Sequence, residues 1–190
     1  NIQLDEASKR ERKRLMHQEL YLHIAFFFIY SFLGWVTEEI FAAFKYGRFI
    51  NRGFLNGPMC PVYGISMFVI LNVLSDYSLQ PFWQVIGAIG IVTVIEYVTG
   101  ALLRKITGRR FWDYRNMPYN LNGYICLRYS IFWGILAIFL MKAIQPQVRK
   151  FMALILRKFN LSTIRTIILV LTIFIAIDCI ISAYAINMFR

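Results

Sequence analysis

The sequence predicts an all-α integral membrane protein, and three observations carry that prediction. Hydrophobic residues make up 58% of the 190 residues, more than the roughly 45–50% that is typical of a soluble domain. The mean hydropathy is +0.55. Aromatic residues, which are enriched where rings lie at lipid headgroups, make up 17%. The length is that of one domain, so we expect a multi-pass protein of the cell membrane.

Long apolar segments separated by polar loops predict about five transmembrane helices. A basic polar leader, residues 1–19, precedes the first helix. The predicted helices cover residues 21–44, 63–74, 82–103, 125–143 and 164–186. The first four are expected to form a core of two helical hairpins over 20–143, with the halves at 20–78 and 82–143.

The segment 144–190 is expected to hold an amphipathic helix and the fifth transmembrane helix. In the amphipathic stretch, Val148, Phe151, Met152, Ile155 and Phe159 share one side of a helical wheel. The other side is basic and carries Arg149, Lys150, Arg157 and Lys158. This pattern is typical of a helix lying in the membrane interface. A loop or an extension of a spanning helix is the alternative.

The net charge of +11 favours the lipid bilayer as a partner rather than nucleic acid, because the basic residues border the apolar segments. Eleven cations on one predicted side face ten on the other, so the positive-inside rule leaves the orientation open. The dense run KRERKR favours a cytoplasmic amino terminus.

The few cysteines and histidines indicate neither a metal site nor a cofactor. Three cysteines, without a CxxC pair, and two histidines are present, so a zinc site is not predicted. We expect Cys60 and Cys126 to be buried thiols. A disulfide between them is the alternative.

An internal repeat links the two long polar loops. LNGPMCPVYG at 55–64 and LNGYICLRYS at 121–130 both read L-N-G-x-x-C-x-x-Y. Each follows a loop with a Gly-Arg pair and precedes an even-numbered helix. The two hairpins are therefore predicted to be parallel repeats related by an axis along the membrane normal. Chance similarity, with each asparagine acting as a plain helix cap, is the alternative.

Carboxylates within the spanning segments are the strongest functional signal. An unpaired charge at the centre of a membrane helix costs about 2.5–3.5 kcal/mol on insertion scales, and Glu38 and Glu96 lie in such helices. Their candidate partners are Arg52, Arg115 and Arg128. Structural ion pairs are the alternative to a polar pocket.

Three further acidic residues have simpler interpretations. Glu39 is expected at the interface, and Asp113 lies in FWDY, where Trp112 and Tyr114 are typical of an aromatic belt. Asp178 is isolated among apolar residues, and we expect it to meet a Ser, Tyr or Arg.

These motifs resemble the putative ABC-transporter type IV family, the CmpB-like bacterial membrane proteins. The resemblance covers about residues 20–143 and rests on FLGWVTEEI, NRGFLNGPMCPVYG, EYVTG, WDY and LNGYICLRYSIFWG. It implies a transporter permease. The motif positions expected to matter are Glu38, Asn51, Arg52, Asn56, Cys60, Tyr63, Glu96, Trp112, Asp113, Asn122 and Cys126, and Arg128 joins them as a candidate partner of the carboxylates.

Three function classes follow from these residues. The first is a transport component with a substrate site formed by the two LNGxxCxxY loops and the intramembrane Glu and Arg residues. Because no G-x-x-x-x-G-K-[ST] motif occurs, an ATPase would be a separate subunit. The second is an intramembrane enzyme acting on a lipid or lipid-linked phosphate, with Glu38, Glu96 or Asp113 as base and Arg52 binding phosphate. The third is a non-catalytic membrane partner or assembly protein, so enzymatic activity stays open.

Overall fold

The computed structural model describes residues 2–49, 51, 53–75 and 80–188. Two features of the sequence lie outside these described residues. One is Arg52, which was predicted to bind substrate. The other is 76–79, most of the turn between the second and third predicted helices.

Helices dominate the described chain, which confirms the prediction of an all-α membrane protein. The elements are α1 (Ile2–Tyr46), α2 (Pro61–Val73), α3 (Pro81–Thr107), β1 (Asn120–Leu121), β2 (Ile125–Cys126), α4 (Leu127–Phe139), a π-helical turn (Leu140–Ile144), α5 (Gln145–Lys158) and α6 (Leu161–Met188). Four described segments are long and apolar enough to cross a membrane: Gln18–Phe44, Pro81–Thr107, Leu127–Lys158 and Leu161–Met188.

The leader and the first predicted helix form one continuous helix, α1. The leader is rich in Lys, Arg and Glu, which are good helix formers, and nothing in its sequence stops the helix before the apolar segment. The predicted boundary near residue 19 therefore marks a change of polarity within a helix.

The amphipathic segment continues α4 through the π-helical turn. Gln145, the first residue of α5, is buried, and its side-chain oxygen accepts a hydrogen bond from Tyr30 Oη at 2.8 Å. Met152 lies in the main apolar core, with Val148 packed against it. The four basic residues of α5 are exposed. Part of the apolar side of this helix thus contacts α1 rather than facing outward.

Two helix pairs have the most extensive interfaces, α1 with α2 and α3 with α4. Glycines permit the close approach in both pairs. A Cβ atom at Gly64 would overlap Ser31 Oγ and the Phe27 carbonyl, and one at Gly134 would overlap the backbone of Ile89. Small residues at such contacts are typical of helix packing in membranes.

Helix α2 is too short to cross a bilayer. Its 13 residues span about 20 Å, against a hydrocarbon core of about 30 Å. The Cys60 N–H, just before α2, donates to the Ser31 carbonyl of α1 at 2.9 Å. Ser31 lies roughly 22 Å along the axis from the end of α1 at Tyr46. The loop between these helices therefore runs back along α1, from the level of Tyr46 to the level of Ser31, before α2 begins.

Candidate functional site

The first polar loop, residues 47–60, is held in place by α6. Asp178 is buried, and its Oδ2 accepts from the Gly57 N–H at 2.8 Å while its Oδ1 accepts from the Asn56 N–H at 3.2 Å. Ser182 Oγ accepts from Asn56 Nδ2 at 2.7 Å and donates to Asp178 at 3.2 Å. The isolated carboxylate thus contacts a serine, as the sequence predicted. It also accepts hydrogen bonds from the backbone N–H groups of the first loop.

The start of this loop is organised by Asn51. Its Nδ2 donates to the carbonyls of Leu55 and Asn56, each at 3.0 Å, and its Oδ1 accepts from the Gly53 N–H at 3.1 Å. Leu55 is buried. An asparagine side chain that replaces backbone partners in this way is typical of a compact turn, so Asn51 has a structural role here.

The second polar loop, residues 108–126, forms its own hairpin. Strand β1 pairs with β2 in antiparallel register, with Asn120 opposite Cys126 and Leu121 opposite Ile125. Asn122 and Gly123 have φ of +53° and +72°, and the Tyr124 N–H donates to the Leu121 carbonyl at 3.1 Å. Positive φ at both central residues is the signature of the type I′ turn that Asn-Gly favours.

The FWDY segment packs along this hairpin. Trp112 Nε1 donates to the Tyr124 carbonyl at 2.8 Å, and the Tyr114 N–H donates to the Gly123 carbonyl at 2.9 Å. Asp113 is exposed and pairs with Arg115, whose Nε donates to its two oxygens at 3.0 and 2.8 Å. Hydrogen bonds from the Arg115 side chain and backbone lower the pKa of Asp113 to about 2.

Two glutamates inside the helical bundle accept hydrogen bonds from tyrosines. Tyr63 Oη, in the first turn of α2, donates to Glu38 Oε1 at 2.6 Å. Tyr114 Oη, from the second loop, donates to Glu96 Oε1 at 3.1 Å. Glu96 is buried, and its Oε2 has no hydrogen-bond partner within the described residues. We call Glu38, Tyr63, Glu96 and Tyr114 the acid–tyrosine cluster.

Helix α4 contacts both halves of this cluster, because Tyr114 stacks on Tyr129 and Tyr63 meets Trp133 one turn later. Burial raises the pKa of the Tyr114 hydroxyl well above the ordinary value, and the negative charges of Glu96 and Glu38 raise it further. The hydroxyl therefore stays protonated at neutral pH and acts as the donor to Glu96. Tyr114 also stacks on Tyr129, with ring centroids 5.0 Å apart.

On the Tyr63 side, the cluster packs against a tryptophan of α4. The rings of Tyr63 and Trp133 meet edge to face with centroids 5.5 Å apart, so α2 and α4 contact each other at this level. A Cβ atom at Gly34 would overlap the Tyr63 ring. Gly34 therefore leaves the space on α1 that the Tyr63 ring occupies.

The structure separates the predicted site residues into groups. Glu38, Tyr63 and Glu96 belong to the acid–tyrosine cluster, whereas Asn51 and Asn56 shape the first loop. Trp112, Asp113 and Asn122 shape the second loop, and Asn122 Nδ2 donates to Tyr97 Oη at 2.9 Å. Arg128 is exposed.

The predicted arginine partners of the glutamates are replaced by tyrosines where the structure describes them. Arg115 pairs with Asp113 instead, and Arg52 lies outside the described residues. The sequence analysis assigned Tyr114 to an aromatic belt at the membrane interface. Its position next to Asp113 was the one sequence signal for its hydrogen bond to Glu96. Glu39, expected at the interface, is buried at 7% exposure.

The cysteines are free thiols. Cys126 is buried and Cys60 is half-buried, which agrees with the buried-thiol expectation and not with a disulfide between them. Among the described residues, no group of three or more His, Cys, Asp or Glu side chains could hold a metal ion.

Fold and site together define an all-α membrane protein with a buried acid–tyrosine cluster beneath two polar loops. The family model described as "Putative ABC-transporter type IV" matches residues 25–183, and the chain belongs to that family. The match extends well past the region 20–143 in which the sequence motifs were recognised, and it includes most of α6. No curated protein and no solved structure matches the chain.

Proposed function

We propose that this chain is a multi-pass protein of the cell membrane and the permease component of a transporter. In this proposal the acid–tyrosine cluster is its substrate site. The observation that carries it is the buried Glu96 carboxylate, whose Oε2 has no partner within the described residues. The family name supports a transporter component.

Glu96 is a carboxylate inside a helix that is long and apolar enough to span the membrane. Such groups are rare because burial is expensive, and by default they mark substrate or ion pathways. One tyrosine hydroxyl offsets part of the cost for Glu96, but an unused acceptor remains. A substrate that donates an N–H or O–H to this oxygen would supply the missing hydrogen bond, and leaving a buried acceptor unpaired costs about 1–3 kcal/mol.

The placement of the tyrosines ties this site to both loops. Tyr63 lies three residues after Cys60, at the end of the first loop, and Tyr114 lies within the second loop. Movement of the second loop, or of the start of α2 together with the first loop, would carry one hydroxyl away from its glutamate. A site that takes one hydroxyl from a loop and one from the helix that follows a loop suits the capture of a substrate from the side of the loops.

The internal repeat and a separate ATPase subunit also belong to this proposal. The pairing of each glutamate with a tyrosine supports the parallel internal repeat, although the second hydroxyl comes from Tyr114 and not from the motif position Tyr129. A separate ATPase subunit is proposed from the family name. Asp113, one of three candidate bases in the enzyme alternative, is exposed and paired with Arg115, so that alternative now rests on Glu38 and Glu96.

The test is native mass spectrometry of the detergent-purified full chain, wild type beside Glu96→Gln. The matched control is Glu39→Gln on α1, a second buried carboxylate whose Oε1 also has no hydrogen-bond partner within the described residues but which is not a member of the acid–tyrosine cluster. We expect a co-purifying molecule in the wild type and the control and its loss in Glu96→Gln. A bound molecule that Glu96→Gln retains at wild-type occupancy would contradict the proposal. Circular dichroism checks that each variant is folded.

A further inference from the structure

The outer side of the second loop carries a basic depression that the acid–tyrosine cluster does not use. It has a volume of about 580 Å³ and is lined by Arg104, Arg110, Arg115, Asn120, Asn122 and Tyr124. Tyr114 points inward to Glu96, whereas Arg115, the next residue, faces this depression. The loop therefore has two polar faces with different chemistry.

The guanidinium groups of the depression are held in place. Arg110 donates from one terminal nitrogen to the Asn122 carbonyl at 2.8 Å, and its guanidinium carbon lies 4.5 Å from the centroid of the Tyr124 ring. Arg104, in the last turn of α3, reaches the Tyr124 hydroxyl at 3.5 Å. A guanidinium group that is already held in one position loses little side-chain entropy when it binds a ligand.

The charge of the depression is positive. Three arginines face one carboxylate, Asp113, which pairs with Arg115 and also lies close enough to Arg110 for the charge of Arg110 to lower its pKa. The residues lining the depression together with Asp113 therefore carry a net charge of about two positive units. Asn120 Nδ2 already donates to two carbonyls, those of Arg115 and Met117, and Asn122 Nδ2 donates once, to Tyr97 Oη. The arginines are therefore the main donors left for a ligand, with the second N–H of Asn122 beside them.

We propose that this depression binds a phosphate monoester group. A phosphate dianion matches the net positive charge, and its oxygens match the forked donors of arginine, which bind phosphate in bidentate fashion. The phosphate belongs either to a lipid headgroup or to a soluble molecule. This inference does not rest on the transport proposal, because it uses arginines that do not contact the acid–tyrosine cluster.

The experiment is isothermal titration calorimetry on the detergent-purified full chain. The probes are inorganic phosphate and dihexanoyl phosphatidic acid, and dihexanoyl phosphatidylcholine serves as the diester reference. Binding of phosphatidic acid alone assigns the site to a lipid headgroup. Binding of inorganic phosphate, with or without phosphatidic acid, shows that the phosphate group itself is recognised, and both results support the proposal.

Three variants separate a built site from general charge attraction. Arg110→Gln and Arg104→Gln are expected to weaken binding about ten-fold or more, because each removes a charged donor. Lys105→Gln removes the same charge from an exposed neighbour outside the depression and is expected to weaken binding less than three-fold, roughly the effect of a surface charge. Arg104 makes one long contact, so its variant stays folded even if Arg110→Gln does not.

Two results would overturn the proposal. One is that neither phosphate probe binds more tightly than phosphatidylcholine. The other is that Lys105→Gln weakens binding as much as Arg104→Gln does, which would show attraction by net charge alone.

Discussion

The two LNGxxCxxY loops share a sequence pattern and reach their structures by different means. The first is held from outside, because Asp178 and Ser182 of α6 accept the donors of Asn56 and Gly57. The second is closed by its own turn, because Asn122 and Gly123 adopt positive φ and form a type I′ hairpin, and its Tyr114 and Asn122 side chains bond to the neighbouring helix α3. Asn56 and Gly57 do not adopt positive φ. The residues shared by the two loops therefore occupy the same positions of the sequence motif but adopt different backbone conformations.

This difference has an energetic consequence. Along α6, Asp178 lies about 15 Å from the last helical residue, so the donors of the first loop are satisfied at a depth where water is scarce if α6 crosses the bilayer. Backbone groups at that depth must be paired within the protein. The first loop should therefore depend on α6, which is distant in the sequence, whereas the second should depend on its own turn and on the adjoining helix α3.

The largest expected effect comes from removing the external support of the first loop. Asp178→Ala leaves the Gly57 N–H without an acceptor, whereas the Asn56 N–H keeps Ser182 Oγ at 3.2 Å. An unsatisfied buried donor costs about 1–3 kcal/mol, so we expect the protein to lose stability of that order. The native thiols report on each loop. Maleimide labelling, quantified per peptide, should increase at Cys60 and stay low at Cys126.

The control for this experiment is Asp178→Asn, which keeps one acceptor oxygen and should show a smaller increase at Cys60. Equal labelling increases at both cysteines in Asp178→Ala would show that α6 supports the whole bundle rather than the first loop.

The reciprocal change acts on the second loop. Gly123 has φ of +72°, so Gly123→Ala places a side chain in a strained conformation at a cost of about 1–3 kcal/mol. Labelling should now increase at Cys126 and not at Cys60. Gly90→Ala is the matched control, because a Cβ atom there meets nothing within 4 Å. Unchanged Cys126 labelling in Gly123→Ala would mean that the hairpin does not need this turn.

A smaller effect on the first loop is expected from Ser182→Ala. The Ser182 hydroxyl accepts from Asn56 Nδ2 and, at 3.2 Å, from the Asn56 N–H. The Asn56 N–H keeps Asp178 Oδ1 as an acceptor, so the expected loss is that of one hydrogen bond, about 1 kcal/mol. The melting temperature should fall less than in Asp178→Ala. Ser162→Ala, an exposed position near the start of the same helix, should leave it unchanged. A larger loss for Ser182→Ala than for Asp178→Ala would reverse the assigned order of the two side chains.

The smallest effect is a pH dependence confined to the second loop. The pair with Arg115 lowers the pKa of Asp113 from 3.8 to about 2, so its stabilisation is present above about pH 4 and is lost as the pH falls towards 2. Hydrogen exchange of the peptide around 110–117 should be faster in Asp113→Asn than in wild type at pH 5. The two should converge near pH 2. A difference that persists at pH 2 would contradict the assignment.

The helices could be predicted from the sequence because length and hydropathy decide them. Pro61 and Pro81 begin helices close to the predicted starts at 63 and 82. The hairpin was missed because its strands have only two residues each, although Asn122-Gly123 is a strong turn signal. Short strands carry too little alternation to be recognised.

The site was predictable only in part. Glu38 and Glu96 were found because a carboxylate in an apolar helix is costly, and that signal is local in the sequence. Their tyrosine partners were not, because Tyr114 sits among aromatic residues that a membrane interface also explains. The partnership of Asp178 with Gly57 joins residues 121 positions apart. No periodicity in a single sequence can reveal such a contact.

In the proposed substrate site, each half of the molecule supplies one tyrosine hydroxyl. Removing the two hydroxyls one at a time is the decisive test. The measurement is ligand occupancy by native mass spectrometry in Tyr63→Phe, Tyr114→Phe and the exposed control Tyr184→Phe. We expect the same molecule to bind the wild type and the control and to be lost from both cluster variants. Retention at wild-type occupancy in either cluster variant would contradict a single shared site.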